Sequence, residues 1–272
     1  MFQLTNTLNV DFTAKRLHVD ASGRIWAYLA NGMTCSIGGE ASTTTIDHFS
    51  SKRFHDPFWV NDVSYQVDFG EQLQASHNGR LQNIRSLSGA SWPIVISPDR
   101  SDCFYANAGV VNHVKLVGDQ LYEHRMGFDV GCLQLVSATT LWVGGDSVSK
   151  LDLNNGSIQT LDSKRATPYL SVASHETNEL VAFAGGDISI YSTGGTLKNR
   201  FGDNYIACGL TKSGILIAYS QGTTQSNKLR IRAEGETEVC EVFGRGFASY
   251  QDGVREKLVV SDDSKLFFYE KL

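Results

Sequence analysis

The stretch YLSVASHETNELVAFAGGDISIYSTGGTLKNRFGD, Tyr169 to Asp203, divides into four short runs: YLSVASHE, NELVAFAGG, DISIYSTGG and TLKNRFGD. Each run is rich in β-branched, aromatic or alternating apolar residues. Each ends at a turn signal such as His-Glu-Thr-Asn, Gly-Gly or Thr-Gly-Gly. Period-two alternation over a few residues, punctuated by Gly, Asn, Asp and Ser, is the pattern of hairpin-linked strands. The stretch therefore predicts four consecutive antiparallel strands.

The same four-strand unit recurs on both sides. CLQLVSA, TTLWVGGD, SVSKLDLNNG and SIQTLDSKR precede it, and YIACGLTK, SGILIAYSQGTT, SNKLRIRAEG and ETEVCEVFGR follow. Further towards the N-terminus lie RLHVDAS, GRIWAYLANG, MTCSIGGE and STTTIDHF. After a looser copy, PFWVND to RLQNIRSL, come WPIVISPD, SDCFYANAG, VVNHVKLVG and QLYEHRM. Six complete units result. The C-terminus adds three strands of a seventh, GFASYQDG, REKLVVSDD and SKLFFYEKL, and FQLTNTLNV near the N-terminus is the candidate for the missing fourth.

Apolar character is graded within the unit. Second strands such as ILIAY, LVAFA, LWVGG and IWAYL are nearly continuous apolar runs, as a strand covered on both faces requires. Fourth strands such as SIQTLDS and STTTIDHF are polar, as suits an outer edge. The glycines that follow second strands, Gly32, Gly70, Gly109, Gly144 and Gly185, are expected to supply tight turns with positive φ.

Composition agrees with one folded all-β domain spanning residues 1–272. Hydrophobic residues make up 41% and charged residues 19%, enough apolar material for a large core and no signature of disorder. No segment has sustained 3.6-residue periodicity with caps at both ends, so no helix is predicted. The formal net charge of -5 argues against a general nucleic-acid binder. No run approaches 18 apolar residues, so no membrane span is expected. The five cysteines are scattered, without a C-x-x-C pair, and read as reduced core residues of a cytoplasmic protein.

In these repeats the chain resembles a seven-bladed β-propeller of four-stranded antiparallel blades, closed as in the WD-repeat family by an N-terminal strand that completes the last blade. Division of the 272 residues among seven blades gives about 39 each, close to the length of such repeats. The Trp-Asp and Gly-His dipeptides of WD repeats are missing, and RIWAYLANGM and TLWVGGDSV carry the pattern instead. Six or eight blades stay open, because the second unit is weakly patterned.

An arginine recurs where each fourth strand crosses to the next unit: Arg16, Arg53, Arg85, Arg125, Arg165, Arg200 and Arg245. In a propeller these crossings, with the turns between second and third strands, line one end of the ring. Guanidinium groups there suit paired hydrogen bonds to carboxylates or phosphates. Glu71, Asp146, Asp187, Asp262 and Asp263 fall at the same end, so bridging of neighbouring blades is the competing role. The first crossing, KRFHDPFW, is the richest in interface residue types, with Trp59 assigned to the following inner strand. The partner-binding candidates are Lys52, Arg53, Phe54, His55, Arg125, Lys164, Arg165, Arg200 and Arg245.

No H-E-x-x-H, G-x-S-x-G, P-loop or Rossmann fingerprint is present, and no histidine stands at metal-ligand spacing from another. The expected function is therefore non-enzymatic: a cofactor-free cytoplasmic module that binds a protein partner with an acidic surface. An inhibitor, or an immunity protein that neutralises a toxin by occluding it, is one concrete form. The alternative is a hydrolase, lyase or small-ligand binder with a site at the central channel, for which His18, Asp20, Asn61, Asp62, His175 and Glu176 are the candidates.

Overall fold

The computed structural model describes residues 2–29, 34–37, 44–47, 57–68, 70–77, 80–163, 168–175, 179–211, 213–220, 228–232, 240–243, 246–262 and 264–272. Every regular element among them is a β-strand. The first sheet contains β2 (Ala14–Val19), β3 (Ile25–Leu29), β4 (Thr34–Ile37) and β5 (Thr44–Asp47), paired in chain order. The second has β6 (Phe58–Val60), β7 (Val63–Val67), β8 (Gln72–His77) and β9 (Arg80–Ser86). The third has β10 (Ser91–Ile96), β11 (Asp102–Asn107), β12 (Val110–Lys115) and β13 (Leu121–Arg125). The fourth has β14 (Val130–Ser137), β15 (Thr140–Gly145), β16 (Val148–Asp152) and β17 (Ile158–Asp162).

Next comes a six-stranded sheet of β18 (Ser171–Ser174), β19 (Leu180–Ser192), β20 (Leu197–Leu210), β21 (Leu216–Ser220), β22 (Lys228–Arg232) and β23 (Cys240–Phe243). Two long strands divide their pairing within it. The first half of β19 pairs with β18, Ala184 opposite Ser171, and its second half pairs with β20, Ile188 opposite Phe201. The second half of β20 turns to β21, Gly209 opposite Ile217. The last sheet runs β1 (Phe2–Asn9), β26 (Lys265–Lys271), β25 (Arg255–Asp262) and β24 (Gly246–Asp252), with Phe2 opposite Lys271. The expected partnership of the two chain ends is thus present.

The core lies between sheets. Leu133, Leu141 and Val143 of the fourth sheet pack on Val95, Phe104 and Val111 of the third. Trp142, facing the other way, packs with Tyr169, Phe183 and Tyr191. Residues Leu17, Ile25 and Ala27 of the first sheet meet Val259, Leu266 and Phe268 of the last. A strand caught between two such layers is covered on both faces, so β3 and β7 are buried at every position, β3 with an apolar or aromatic side chain throughout and β7 with Ser64 and Gln66 among its buried residues. Complete burial of one aliphatic or aromatic side chain contributes roughly 1.5–3 kcal/mol. Outer strands such as β9 and β17 are mostly exposed, as the polarity gradient predicts.

The glycines after second strands require a correction. Gly70, Gly109, Gly144 and Gly185 are not among the positive-φ glycines, and Gly32 lies outside the described residues. At Gly144 and Gly185, and at the adjacent Gly145, glycine is needed for closeness of approach. A Cβ on Gly145 would fall 1.9 Å from the Asp129 carbonyl oxygen, and one on Gly185 would fall 2.3 Å from the Pro168 oxygen. At both places the end of a second strand presses on the backbone of a neighbouring crossing, and a side chain has no room.

Candidate functional site

A cleft of about 500 Å³ opens between the third and fourth sheets, at the end of the molecule that carries the β10–β11 and β14–β15 hairpins. Local chemistry shapes the first of these turns. Ser97 accepts from Arg100 N at 2.8 Å, and Asp99 receives hydrogen bonds from Ser97 Oγ at 2.6 Å and Ser101 N at 3.1 Å. These bonds, the one from Ser97 foremost, hold the Asp99 carboxyl at about 2. Arg100 takes the left-handed backbone that the turn requires, φ 61°.

Register then assembles the polar wall. In the β11–β12 pair Asp102 stands opposite Lys115 and Phe104 opposite His113. Residues two apart in a strand share a face, so all four side chains point the same way, towards the fourth sheet. Lys115 Nζ lies 2.8 Å from Asp102 Oδ1 and 3.0 Å from Oδ2. The His113 Nε2–H donates to Oδ1 at 2.5 Å, and the Ser101 hydroxyl donates to Oδ2. Burial opposes the charge on Asp102, but the bonds from Lys115, Ser101 and His113 outweigh it and hold the carboxyl below its ordinary range. The His113 ring is fixed by stacking on Phe104, with centroids 4.5 Å apart, and by Tyr122 at 5.3 Å. Leu135, Val136, Ser137 and Ala138 form the opposite wall.

Behind His113 and Lys115 a second, wider hollow of about 910 Å³ runs along β13. Leu121, Tyr122, His124 and Arg125 line one side, and the Asn154–Gly156 turn with Ile158 lines the other. Burial, then the nearby His113, lowers the pKa of His124. The two hollows share His113 and Lys115 as a ridge. Because Asp102 already accepts from three groups, the cleft offers an incoming group the exposed part of the Lys115 ammonium, the Ser137 hydroxyl and an apolar seat on Phe104, Leu135 and Val136.

The junction arginines separate into different roles. Arg125 ends β13, exposed, and makes no ion pair among the described residues. Arg200 reaches back to the preceding sheet, where its guanidinium meets Asp162 Oδ2 at 2.5 Å, and its Nε–H donates to Ser189 Oγ at 3.1 Å. Tyr169 shares that serine hydroxyl at 2.6 Å. Arg85 spans to the third sheet, donating to the carbonyls of Lys115 at 2.5 Å and Gly118 at 2.9 Å. Arg16 lies in β2. Arg85 and Arg200 are therefore ties between sheets. Lys52, Arg53, Phe54, His55, Lys164, Arg165 and Arg245 lie outside the described residues.

Among the described residues the channel candidates do not form one cluster, although His18 and Asn61 meet. His18 is stacked on Trp59 at 5.5 Å and donates to the Asn61 carbonyl at 2.8 Å, and burial lowers its pKa. Asp20 closes its own hairpin, accepting from Ser22, Arg24 and Trp26 Nε1. Asp62 binds His77 at 2.7 Å and Arg100 at 3.5 Å. His175 is buried, and Glu176 lies outside the described residues. Among the described residues no group of three or more His, Cys, Asp or Glu is placed to hold a metal ion.

The residues Asp102, His113 and Lys115 were not singled out by motif, since none has a partner close in sequence. Their signal is the symmetry of one hairpin. In SDCFYANAGVVNHVK the tight turn at Ala108-Gly109 pairs Asp102 with Lys115 and places His113 diagonally across.

No family model and no curated protein matches the sequence. Among solved structures 1005 chains match the fold. One is a chain from a crystal structure of a mitotic checkpoint complex, which superposes with a TM-score of 0.75 over 99% of this chain and 92% of that one, at 12% sequence identity. A likeness at that identity is one of fold, and with the succession of four-stranded antiparallel sheets it gives the chain the β-propeller class of fold.

Proposed function

We propose that this propeller is a non-enzymatic protein-binding module and that the cleft between its third and fourth sheets receives a side chain of the partner. The observation that carries the reading is the cleft's construction: apolar walls at Phe104, Leu135 and Val136, rimmed by the immobilised Asp102–His113–Lys115 cluster. Interface energy concentrates in such anchor pockets, where an apolar group is desolvated inside a polar rim. The propeller neighbour comes from a protein complex, which supports the same class of role. Exposed Arg125 supports an acidic surface on the partner. Occlusion of another protein's active site, as by an inhibitor or an immunity protein, is the concrete form we favour. The buried, free thiols of Cys35, Cys103, Cys132 and Cys208 support a reducing, cytoplasmic setting.

We also read the architecture as seven blades closed in a ring. The division of pairing within β19 and β20 supports it by splitting the six-stranded sheet into two units of four, and the β1–β26 pairing supports closure by the chain ends.

The test is capture of partners from native lysate with the wild type, with Ala138→Trp to fill the cleft, and with Arg125→Glu. Ala138 lies exposed in a hairpin turn, so the indole blocks the cleft without disturbing the core. One stoichiometric partner, released by salt and lost with Ala138→Trp, is expected. Retention of every partner by both variants would sink the assignment. A site at the central channel would instead respond to replacement of His18 or His175.

A further inference from the structure

We propose that β13 is a self-association edge, where a second copy of this chain pairs antiparallel about a two-fold axis at His124. The proposal does not depend on the cleft as a partner site, and it gives Arg125 a second candidate counterpart, Glu123 of the other copy.

The argument rests on the outer strands whose side chains are described. A propeller's outer strands all present an unpaired row of backbone groups, a template for another strand unless side chains oppose it. On β9 the charges are Arg80 and Arg85, and on the outer half of β20 they are Lys198 and Arg200. Among charged residues these edges hold basic ones alone, so a second copy paired antiparallel meets no acid there. The single charge of β17, Asp162, is held by Arg200, and β1 has no charged residue. The strand β13 differs: Leu121, Tyr122, Glu123 and Arg125 are all exposed, and neither Glu123 nor Arg125 makes an ion pair among the described residues.

Glu123 and Arg125 are two apart and so lie on the same face of the strand. When two copies pair antiparallel with His124 opposite His124, each Glu123 stands directly opposite the other copy's Arg125. One symmetric contact then creates two cross-strand ion pairs, the self-complementarity that a two-fold interface requires. Leu121 and Tyr122, 51% and 48% exposed, lie at the ends of the paired segment and lose water contact as the copies meet. The face opposite Glu123 carries His124, kept neutral by burial, so two histidines at the axis add no charge repulsion. A contact built on one short strand is smaller than a standard interface, which places the dimer in roughly the micromolar range.

Sedimentation velocity of the full chain over a concentration series is the test, with circular dichroism to verify the fold of each variant. The wild type should pass reversibly from monomer to dimer. Glu123→Arg and Arg125→Glu should each weaken the dimer about a hundredfold, since two opposed pairs become like-charged at roughly tenfold apiece. The double exchange E123R/R125E should restore it. A wild type that stays monomeric to its solubility limit overturns the proposal. A dimer indifferent to the single reversals, or unrescued by the exchange, overturns it equally.

Discussion

Replacement of Asp102 by alanine removes the acceptor on which three donors converge. The His113 ring is 9% exposed as a residue, so its Nε2–H is left without a partner in a site water scarcely reaches. An orphaned buried donor of this kind costs about 1–3 kcal/mol. The Lys115 side chain is 38% exposed and its ammonium can be rehydrated, so loss of its ion pair adds about 1 kcal/mol or less. The total expected for Asp102→Ala is roughly 1–4 kcal/mol. Asp102→Asn, which keeps an acceptor but loses the charge, should cost about half of that. Lys115→Met alone should cost under about 1 kcal/mol, which assigns most of the loss to the buried histidine. The assay is urea unfolding followed by tryptophan fluorescence, repeated as the pH is lowered. The folded-state pKa of Asp102 is depressed below its ordinary 3.8, so its stabilisation is fully present above that value. It is lost as the pH falls through the folded value. The gap between wild type and Asp102→Asn should therefore persist from neutral pH down to about 4 and shrink below it. A cost for Asp102→Ala under about 0.5 kcal/mol at neutral pH, or a gap that fails to shrink in acid, would refute the account of the cluster.

Two further outcomes follow from packing. Gly145→Ala, whose Cβ meets the Asp129 carbonyl at 1.9 Å, should destabilise by about 3 kcal/mol or more in the same urea assay. Gly118→Ala, with open space but φ 95°, should cost only about 1–2 kcal/mol, and equal effects would show that sheet approach does not govern the first position. Burial pushes the Cys103 and Cys208 thiols up to about 12, so neither should be alkylated in the native protein at mildly alkaline pH, and both should react fully in denaturant. Mass spectrometry of the labelled peptides checks this, and native labelling of either thiol would contradict its burial.

Period-two alternation and its punctuation carried the all-β class, the strand order within each unit and the pairing of the chain ends. These follow from local rules: side chains alternate across a strand, and a strand covered on both faces favours apolar residues throughout, as in β3. The arginines that tie neighbouring sheets were equally legible at Arg85 and Arg200. Their partners were not, because Asp162 and the Lys115 carbonyl belong to neighbouring sheets brought near by packing. The glycine pattern was visible while its cause was misassigned. Positive φ is a property of one residue, whereas the lack of room at Gly145 and Gly185 arises from another segment's backbone. The cleft was out of reach for the same reason. Hairpin symmetry sets Asp102 against Lys115, but Leu135 and Val136 face them only because the third and fourth sheets stack. That stacking follows from burial of apolar surface summed over whole sheets, a quantity that no local spacing in the chain encodes.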